Sequence, residues 1–257
     1  MLRKRLIFVL LWDGAKFALS RNFSPQAVGD LEWLRTNYDW DSIATSIDEL
    51  VVLNICRDAR VSDEFCAAVR LLARRCFIPL ACGGGVRSVE DAYRLLAAGA
   101  DKVVVTTLAH EDPEVVRRLV ARFGSQFVVG ALDYKLVGDA RRVLARSARV
   151  DTGLRLEEGV AHLEGLGAGE LLINSVNQDG TGRGFDLEAL RAVGAGSRLP
   201  VIAAGGAGTP EHFLQAIRIP GVSAVATANL FNFMAGGLAD ARAHLRESGV
   251  DLASFGR

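Results

Sequence analysis

The side chains and backbone positions of this chain that could do chemistry collect where apolar runs end. The run Ile78–Cys82 breaks into Gly83, Gly84 and Gly85, and a backbone without Cβ atoms lets successive amides converge on an anion. Phosphate is the natural guest of such a loop, while a tight turn with no ligand explains a single copy equally well. A second apolar run, Lys102–Val105, finishes on the hydroxyls of Thr106 and Thr107. From Leu199 the pattern returns: Pro200 matches Pro79, an apolar run ends at Gly205 and Gly206, a helix opens at Thr209 and Pro210, and the strand Ala224–Thr227 leads to Asn229. Two such glycine loops on one face suit a substrate with a phosphate at each end.

Asp133 closes the run Gln126–Leu132 and is the one carboxylate at a strand end, hence a candidate to take or give a proton; capping a loop is its bland alternative. Asp179, in the loop after the run Glu170–Ser175, is a second candidate, set against a simple Asp-Gly turn. Asn54, Asn174 and Ser175 also end strands and are expected to line the substrate mouth. His110, His162, His212 and His244 accompany no nucleophile motif and are read as surface residues. Cys56, Cys66, Cys76 and Cys82 show neither CxxC nor a Cys/His metal spacing, so free thiols and no metal are expected, with Cys82 a packed core thiol.

These positions need a scaffold that brings strand ends together. Strands are expected at Arg5–Leu11, Glu49–Asn54, Ile78–Cys82, Lys102–Val105, Gln126–Leu132, Glu170–Ser175, from Pro200, and at Ala224–Thr227. Helices follow at about Asp30–Ile43, Ser62–Arg75, from Ser88, from Asp112 and Pro113, at about Thr152–Leu166, from Asp186, from Thr209, and at about Leu238–Glu247. Arg21–Gly29 is expected to be a polar loop and Lys135–Asp151 a small hairpin or excursion. Continuous apolar strands each followed by an amphipathic helix call for a parallel sheet covered by helices, and eight such units close into a single α/β domain, a (β/α)8 TIM barrel over residues 1–257. The repeat half a chain apart points to a two-fold duplicated half-barrel. In that fold chemistry sits at the C-terminal strand ends.

Composition excludes more than it assigns. Half of the 257 residues are hydrophobic, enough for one large core, and 30 Lys plus Arg balance 30 Asp plus Glu. There is no charge signal for nucleic acid or an acidic membrane surface. The start, MLRKRLIFVLLWDG, has too short an apolar core for a leader or a span and reads as the first strand of a cytoplasmic protein.

Several stretches, MLRKRLI, IDELV, CGGGVRSVEDA, GADKVVVTT, FGSQFVV with Asp133 and Lys135, GAGELLINS, QDGTGRGFDLE and VIAAGGAGTPEHF, together resemble the cyclase subunit family of imidazole glycerol phosphate synthase over nearly the whole chain. The resemblance implies a cofactor-free barrel that receives ammonia from a separate glutaminase at its N-terminal face and adds it to a phosphorylated substrate at the far mouth. It also implies an ammonia gate of two basic and two acidic side chains, matched here by Arg5, Glu49, Lys102 and Glu170. Each of the four starts or nearly starts a strand, and such charges are costly to enclose unless paired as a set.

The departures narrow the expectation. The family's cyclase chemistry uses facing aspartates at the ends of strands 1 and 5; Asp133 is kept, but Leu10 and Leu11 end strand 1, and Asp13 is assigned to the following Asp-Gly turn. The strand 2 aspartate is Asn54, and the loop lysine falls near Ala18 or Leu19, with Lys16 close by. Losing one of two acid/base groups costs about 10² to 10⁴ in rate for a step that needs both. The pattern resembles paralogues that form an amidine on a nucleotide sugar, with Asp133 shuttling the proton and Asp179 ordering its loop. The alternatives are a genuine imidazole glycerol phosphate synthase cyclase subunit and a non-catalytic phosphate-binding partner of a glutaminase.

Overall fold

A computed structural model describes residues 3–37, 43, 45–75, 77–228 and 236–253. Asn229 and Cys76 lie outside the described residues, as do 38–42 of the expected first helix. Eight strands build the barrel: β1 (Arg5–Asp13), β4 (Glu49–Asn54), β5 (Leu80–Gly83), β6 (Lys102–Val105), β7 (Val128–Val137), β10 (Glu170–Ser175), β11 (Val201–Ala204) and β12 (Val222–Thr227). All neighbours pair in parallel in that order, and β12 closes the ring back onto β1.

The described helices are α1 (Leu31–Asn37), α2 (Asp63–Ala73), α3 (Val89–Ala98), α4 (Thr107–Glu111), α5 (Pro113–Phe123), α6 (Leu156–Leu166), α7 (Leu187–Gly196), α8 (Pro210–Ile217) and α9 (Gly237–Glu247). Their starts follow the local chemistry of the chain. Ser62, Ser88 and Thr209 each accept a hydrogen bond from the amide three residues on, satisfying an orphan donor of the first turn. At Ser88 the cap is reciprocal, because Asp91 Oδ2 accepts from the Arg87 amide at 2.9 Å, one residue earlier than the usual box.

Strand residues alternate between two apolar layers, as the period of two requires. Leu6, Phe8, Leu10 and Trp12 of β1 join the large layer between sheet and helices, whereas Ile7, Val9 and Leu11 join the barrel interior with Val51, Val104 and Leu172. Cys82 falls in the outer layer, fully buried, so it is a core thiol and burial pushes its pKa up. At the floor, Asp48 is buried and accepts from both terminal nitrogens of Arg242 on α9, at 2.8 and 2.9 Å, and from the Leu6 amide at 2.8 Å. The last helix is thereby tied beneath the barrel.

Three expectations change. Residues 21–29 are not an irregular loop: β2 (Lys16–Arg21) and β3 (Ser24–Gly29) form an antiparallel hairpin that continues from β1. Its turn is fixed by tertiary contacts that local sequence does not reveal, since Asn22 and Phe23 adopt positive φ (51° and 62°) and the Asn22 amide group donates to the Val176 and Asn177 carbonyls. β1 itself runs to Asp13 rather than stopping at Leu11. The helix expected from Thr152 begins at Leu156, because residues 150–155 are strand β9, paired with β8 (Ala140–Ala145). The excursion expected over 135–151 is thus the β7–β8–β9 meander. The two excursions follow the first and fifth barrel strands, half a turn apart, in keeping with a duplicated half-barrel. Among the described residues no helix is long and apolar enough to cross a membrane.

Candidate active site

The floor of the barrel is closed by four charges, each the first residue of its strand, on β1, β4, β6 and β10. Arg5 donates to Glu49 at 2.6 Å and also to Glu170, and Lys102 donates to both oxygens of Glu49 at 3.0 Å and to Glu170 at 3.1 Å. Each acid bridges both bases and each base both acids, so the ring is closed and neutral. Its side chains are largely out of water, with 2% of Glu49, 10% of Glu170, 19% of Arg5 and 20% of Lys102 exposed. Burial alone would lower the Arg5 pKa; the charges and hydrogen bonds of Glu170 and Glu49 override it and hold Arg5 above its ordinary value. Immediately above lie apolar interior side chains, Ile7, Val51, Val104 and Leu172.

At the opposite end the interior face of β7 presents Asp133 and that of β10 presents Asn174, one residue pair in register. Asn174 Nδ2 donates to Asp133 Oδ1 at 3.1 Å. Protein on most sides desolvates the carboxyl and raises its pKa from the ordinary range to about 7; the Asn174 hydrogen bond opposes the rise and the charge of Asp179 adds to it. A carboxyl poised there can both accept and return a proton near neutrality. Asp179 does not reach the interior as a second acid. It accepts from Ser20 Oγ at 2.5 Å and from the Phe23 amide at 2.9 Å, pinning the β2–β3 hairpin to the loop after β10.

Two expected mouth residues face away from the mouth. Asn54 lies on the outward face of β4 and folds its own loop, donating to the Arg60 carbonyl at 2.9 Å and accepting from the Cys56 amide at 3.1 Å. Ser175 is buried on the outward face of β10 and hydrogen-bonds Tyr134, whose hydroxyl donates to Asp186, itself held by Arg141. Strand parity decides both cases, since a residue can end a strand and still point at the helices. The histidines are partly exposed, with 38% of the His244 side chain in solvent, and His110 stacks on His162 with centroids 5.6 Å apart.

The glycine loops are shaped by close backbone approach. A Cβ on Gly84, whose φ is +85°, would lie 2.0 Å from the Asn54 carbonyl oxygen, and one on Gly206, φ +109°, 2.1 Å from that of Gly184. Gly83 and Gly85 are likewise crowded by Val104 and by the 59–60 backbone, and Gly205 by Asn174 and Ser175. Packing alone therefore requires these glycines, independently of any phosphate. Thr106 caps α4 without a side-chain hydrogen bond, whereas the Thr107 hydroxyl accepts from the Arg146 amide at 2.9 Å and so anchors the β8–β9 turn. Gly84→Ala is expected to lower the melting temperature by several degrees, since the backbone strain and the clash act together; differential scanning fluorimetry checks it.

With floor and mouth in place, residues 38–235 match the family described as Histidine biosynthesis protein. The chain belongs to this family. An imidazole glycerol phosphate synthase subunit HisF of Metallosphaera sedula is 38% identical over 253 residues, covering 98% of this chain and 99% of that protein. The HisF of Thermobifida fusca is 40% identical over 255 residues, with 96% and 98% covered. A protein of Parasynechococcus marenigrum with the provisional name imidazole glycerol phosphate synthase subunit hisF2 is 37% identical over 256 residues, with 99% and 95% covered. As a HisF-like member of the histidine biosynthesis protein family, the chain spans nearly the full length of these relatives. The relatives' names favour the cyclase-subunit alternative over the nucleotide-sugar expectation, which none of these three names supports.

Sequence reasoning missed two features. One is the hold of Asp179 and Asn22 on the hairpin, which pairs residues more than 150 positions apart and leaves no local signal. The other is Phe77, 91% exposed in the loop before β5 at the barrel floor, which a scan for apolar residues outside helix and strand periodicity could have flagged.

Proposed function

We propose that this chain is the ammonia-using synthase subunit of a two-component glutamine-dependent enzyme of the imidazole glycerol phosphate synthase type, acting with a separate glutaminase. The closed ring of Arg5, Glu49, Lys102 and Glu170 carries the reading. A neutral, desolvated charge cluster set across the floor of a barrel is expensive to build for stability alone. As a gate, it admits a small neutral nucleophile when one ion pair opens and excludes ions when all are closed. Ammonia would pass the apolar interior to an electrophilic carbon at the mouth, held through phosphates by the loops at Gly83–Gly85 and Gly205–Gly206. Asp133 takes the proton that nitrogen loses as the C–N bond forms.

The deciding experiment is rescue of a histidine auxotroph that lacks its cyclase subunit but keeps its glutaminase. Growth, together with ¹⁵N from labelled ammonium in imidazole glycerol phosphate, is the expected result. A second reading is favoured by Leu11 and Asn54, which stand where the resemblance places aspartates: the same ammonia route would then form an amidine on a nucleotide sugar. Absence of rescue, with ¹⁵N appearing in an acylated nucleotide sugar, would select it. Label in neither product, with phosphate still bound, would leave a binding partner of the glutaminase.

The floor must also be where the glutaminase docks, because ammonia released elsewhere would be lost to solvent. Phe77 borders a cleft of about 350 Å³ shared with Ile78, Pro79 and Asp101, the last being the neighbour of Lys102. An exposed aromatic beside a cleft is the composition of an interface anchor. Phe77→Ser is expected to weaken glutaminase binding by at least about tenfold with ammonium-dependent turnover unchanged, as read by calorimetry and steady-state rates.

A further inference from the structure

The β7–β8–β9 meander carries a charge pattern that the floor ring and Asp133 leave unexplained. Tyr134 of β7 pairs with Val143 of β8, and both lie in the outer apolar layer. The pairs on either side, Asp133 with Leu144 and Lys135 with Arg142, face the other way and continue the interior face of β7. Arg142 pairs in turn with Arg155 of β9, whose neighbour Leu154 packs on the outer layer. Lys135, Arg142 and Arg155 thus stand abreast on three adjacent strands, on the face that carries Asp133, in a row about 10 Å across.

Like charges directly opposite one another destabilise a sheet, so a row of three calls for counter-charge. The chain supplies one carboxylate on this face, Asp151, which pairs with Leu144 and accepts from Arg142 at 3.3 and 3.4 Å. Asp151 is shared, because the Gly153 amide also donates to it at 2.8 Å. Lys135 and Arg155 are exposed, and among the described residues no carboxylate forms an ion pair with either; Glu158 accepts instead from the Arg155 amide at 2.7 Å. Elsewhere on the meander the arginines do have acids. Arg141 holds Asp186 and Glu188, and Arg146 holds Glu111. The deficit is therefore confined to the face that continues from Asp133.

We propose that Lys135, Arg142 and Arg155 form a binding site for a diphosphate group, separate from the glycine loops that follow β5 and β11. Ammonium and guanidinium groups take phosphate oxygens through charge-assisted hydrogen bonds, and two linked phosphoryl groups can bridge three cations set one strand apart. The bound anion supplies the charge that Asp151 alone does not. Two sources share this chemistry: a diphosphate carried by the acceptor substrate, lying outward of its electrophilic carbon, and the diphosphate of a free nucleotide. The first source rests on the ammonia-transfer reading above, and the site itself does not.

The test is calorimetric titration of the full chain with inorganic pyrophosphate, beside the double variant Lys135→Gln/Arg155→Gln. The parent is expected to show a site that the variant binds at least about tenfold more weakly, and inorganic sulfate should bind that site at least about tenfold more weakly than pyrophosphate. Without ligand the variant should melt no lower than the parent, because repulsion along the row is relieved, and pyrophosphate should raise the melting temperature of the parent more than that of the variant. Affinity for pyrophosphate within about threefold in parent and variant, equal affinity for sulfate, or no binding by the parent at about 10 mM overturns the site. The ¹⁵N-ammonium product assay of the preceding section then separates the sources: a KM for the acceptor raised about tenfold in the variant, with kcat kept, assigns the diphosphate to the substrate, and an unchanged KM assigns it to a free nucleotide. No label in any product of the parent chain overturns the ammonia-transfer reading alone, since the titration decides the site without turnover.

Discussion

Asp133→Asn is expected to make the protein more stable at pH 8 and nearly inactive. The carboxyl is raised to about 7 chiefly by desolvation, so the fold favours its neutral form. A carboxyl raised in this way contributes stability that is fully present below the unfolded pKa of about 4 and lost as pH rises through 7. About three pH units of such a shift correspond to roughly 4 kcal/mol, and partial access of solvent at the mouth brings the expected gain for the asparagine variant down to about 1–3 kcal/mol. Asparagine keeps an oxygen to accept from Asn174, so no donor is orphaned. Ammonium-dependent turnover should fall by about 10² to 10⁴. Urea melts from pH 5 to 9 would show the parent losing stability with rising pH and the variant much less; parallel curves would mean that Asp133 is not buried in the manner described. In the parent, turnover should rise with pH to a plateau above about 7, as the base form fills.

Glu49→Gln is the second large effect. Glu49 is the most enclosed member of the floor ring and accepts from both Arg5 and Lys102. Removing its charge leaves two bases facing Glu170 alone, an uncompensated positive charge out of water, and the expected loss is about 3–5 kcal/mol by denaturant unfolding. Adding Lys102→Met to the same chain restores neutrality and should recover a large part of that loss, whereas two independent sites would simply add. The gate role proposed for the ring makes a further demand. Turnover driven by glutamine should drop more than turnover driven by external ammonium, because only the former depends on transfer across the floor. An equal drop in both would reduce the ring to a structural role.

Much of the architecture is written in short stretches. Continuous apolar runs, caps at Ser62, Ser88, Asp112 and Thr209, and glycines at loop starts are decided by neighbours within a few residues, so the eight strands and most helices are legible without coordinates. The four floor charges are legible too, since each is the first residue of its strand and is left largely out of water once the barrel closes. What the mouth does is less so. Asn54 and Ser175 end strands as expected, yet strand parity turns them toward the helices, while Asp13, expected to be only a turn residue, is the last residue of β1 and pairs with Lys16.

The sequence by itself determined the class of fold, the family, and the pairing of acids with bases at the barrel floor, because burial, capping and charge neutrality are imposed locally or by type. Tertiary structure alone decided which strand-end side chains face the interior beside Asp133 and what holds the hairpin above it. Those depend on register between strands far apart in the chain and on hydrogen bonds such as those of Asp179 to Ser20 and Phe23, for which no nearby residue carries a signature.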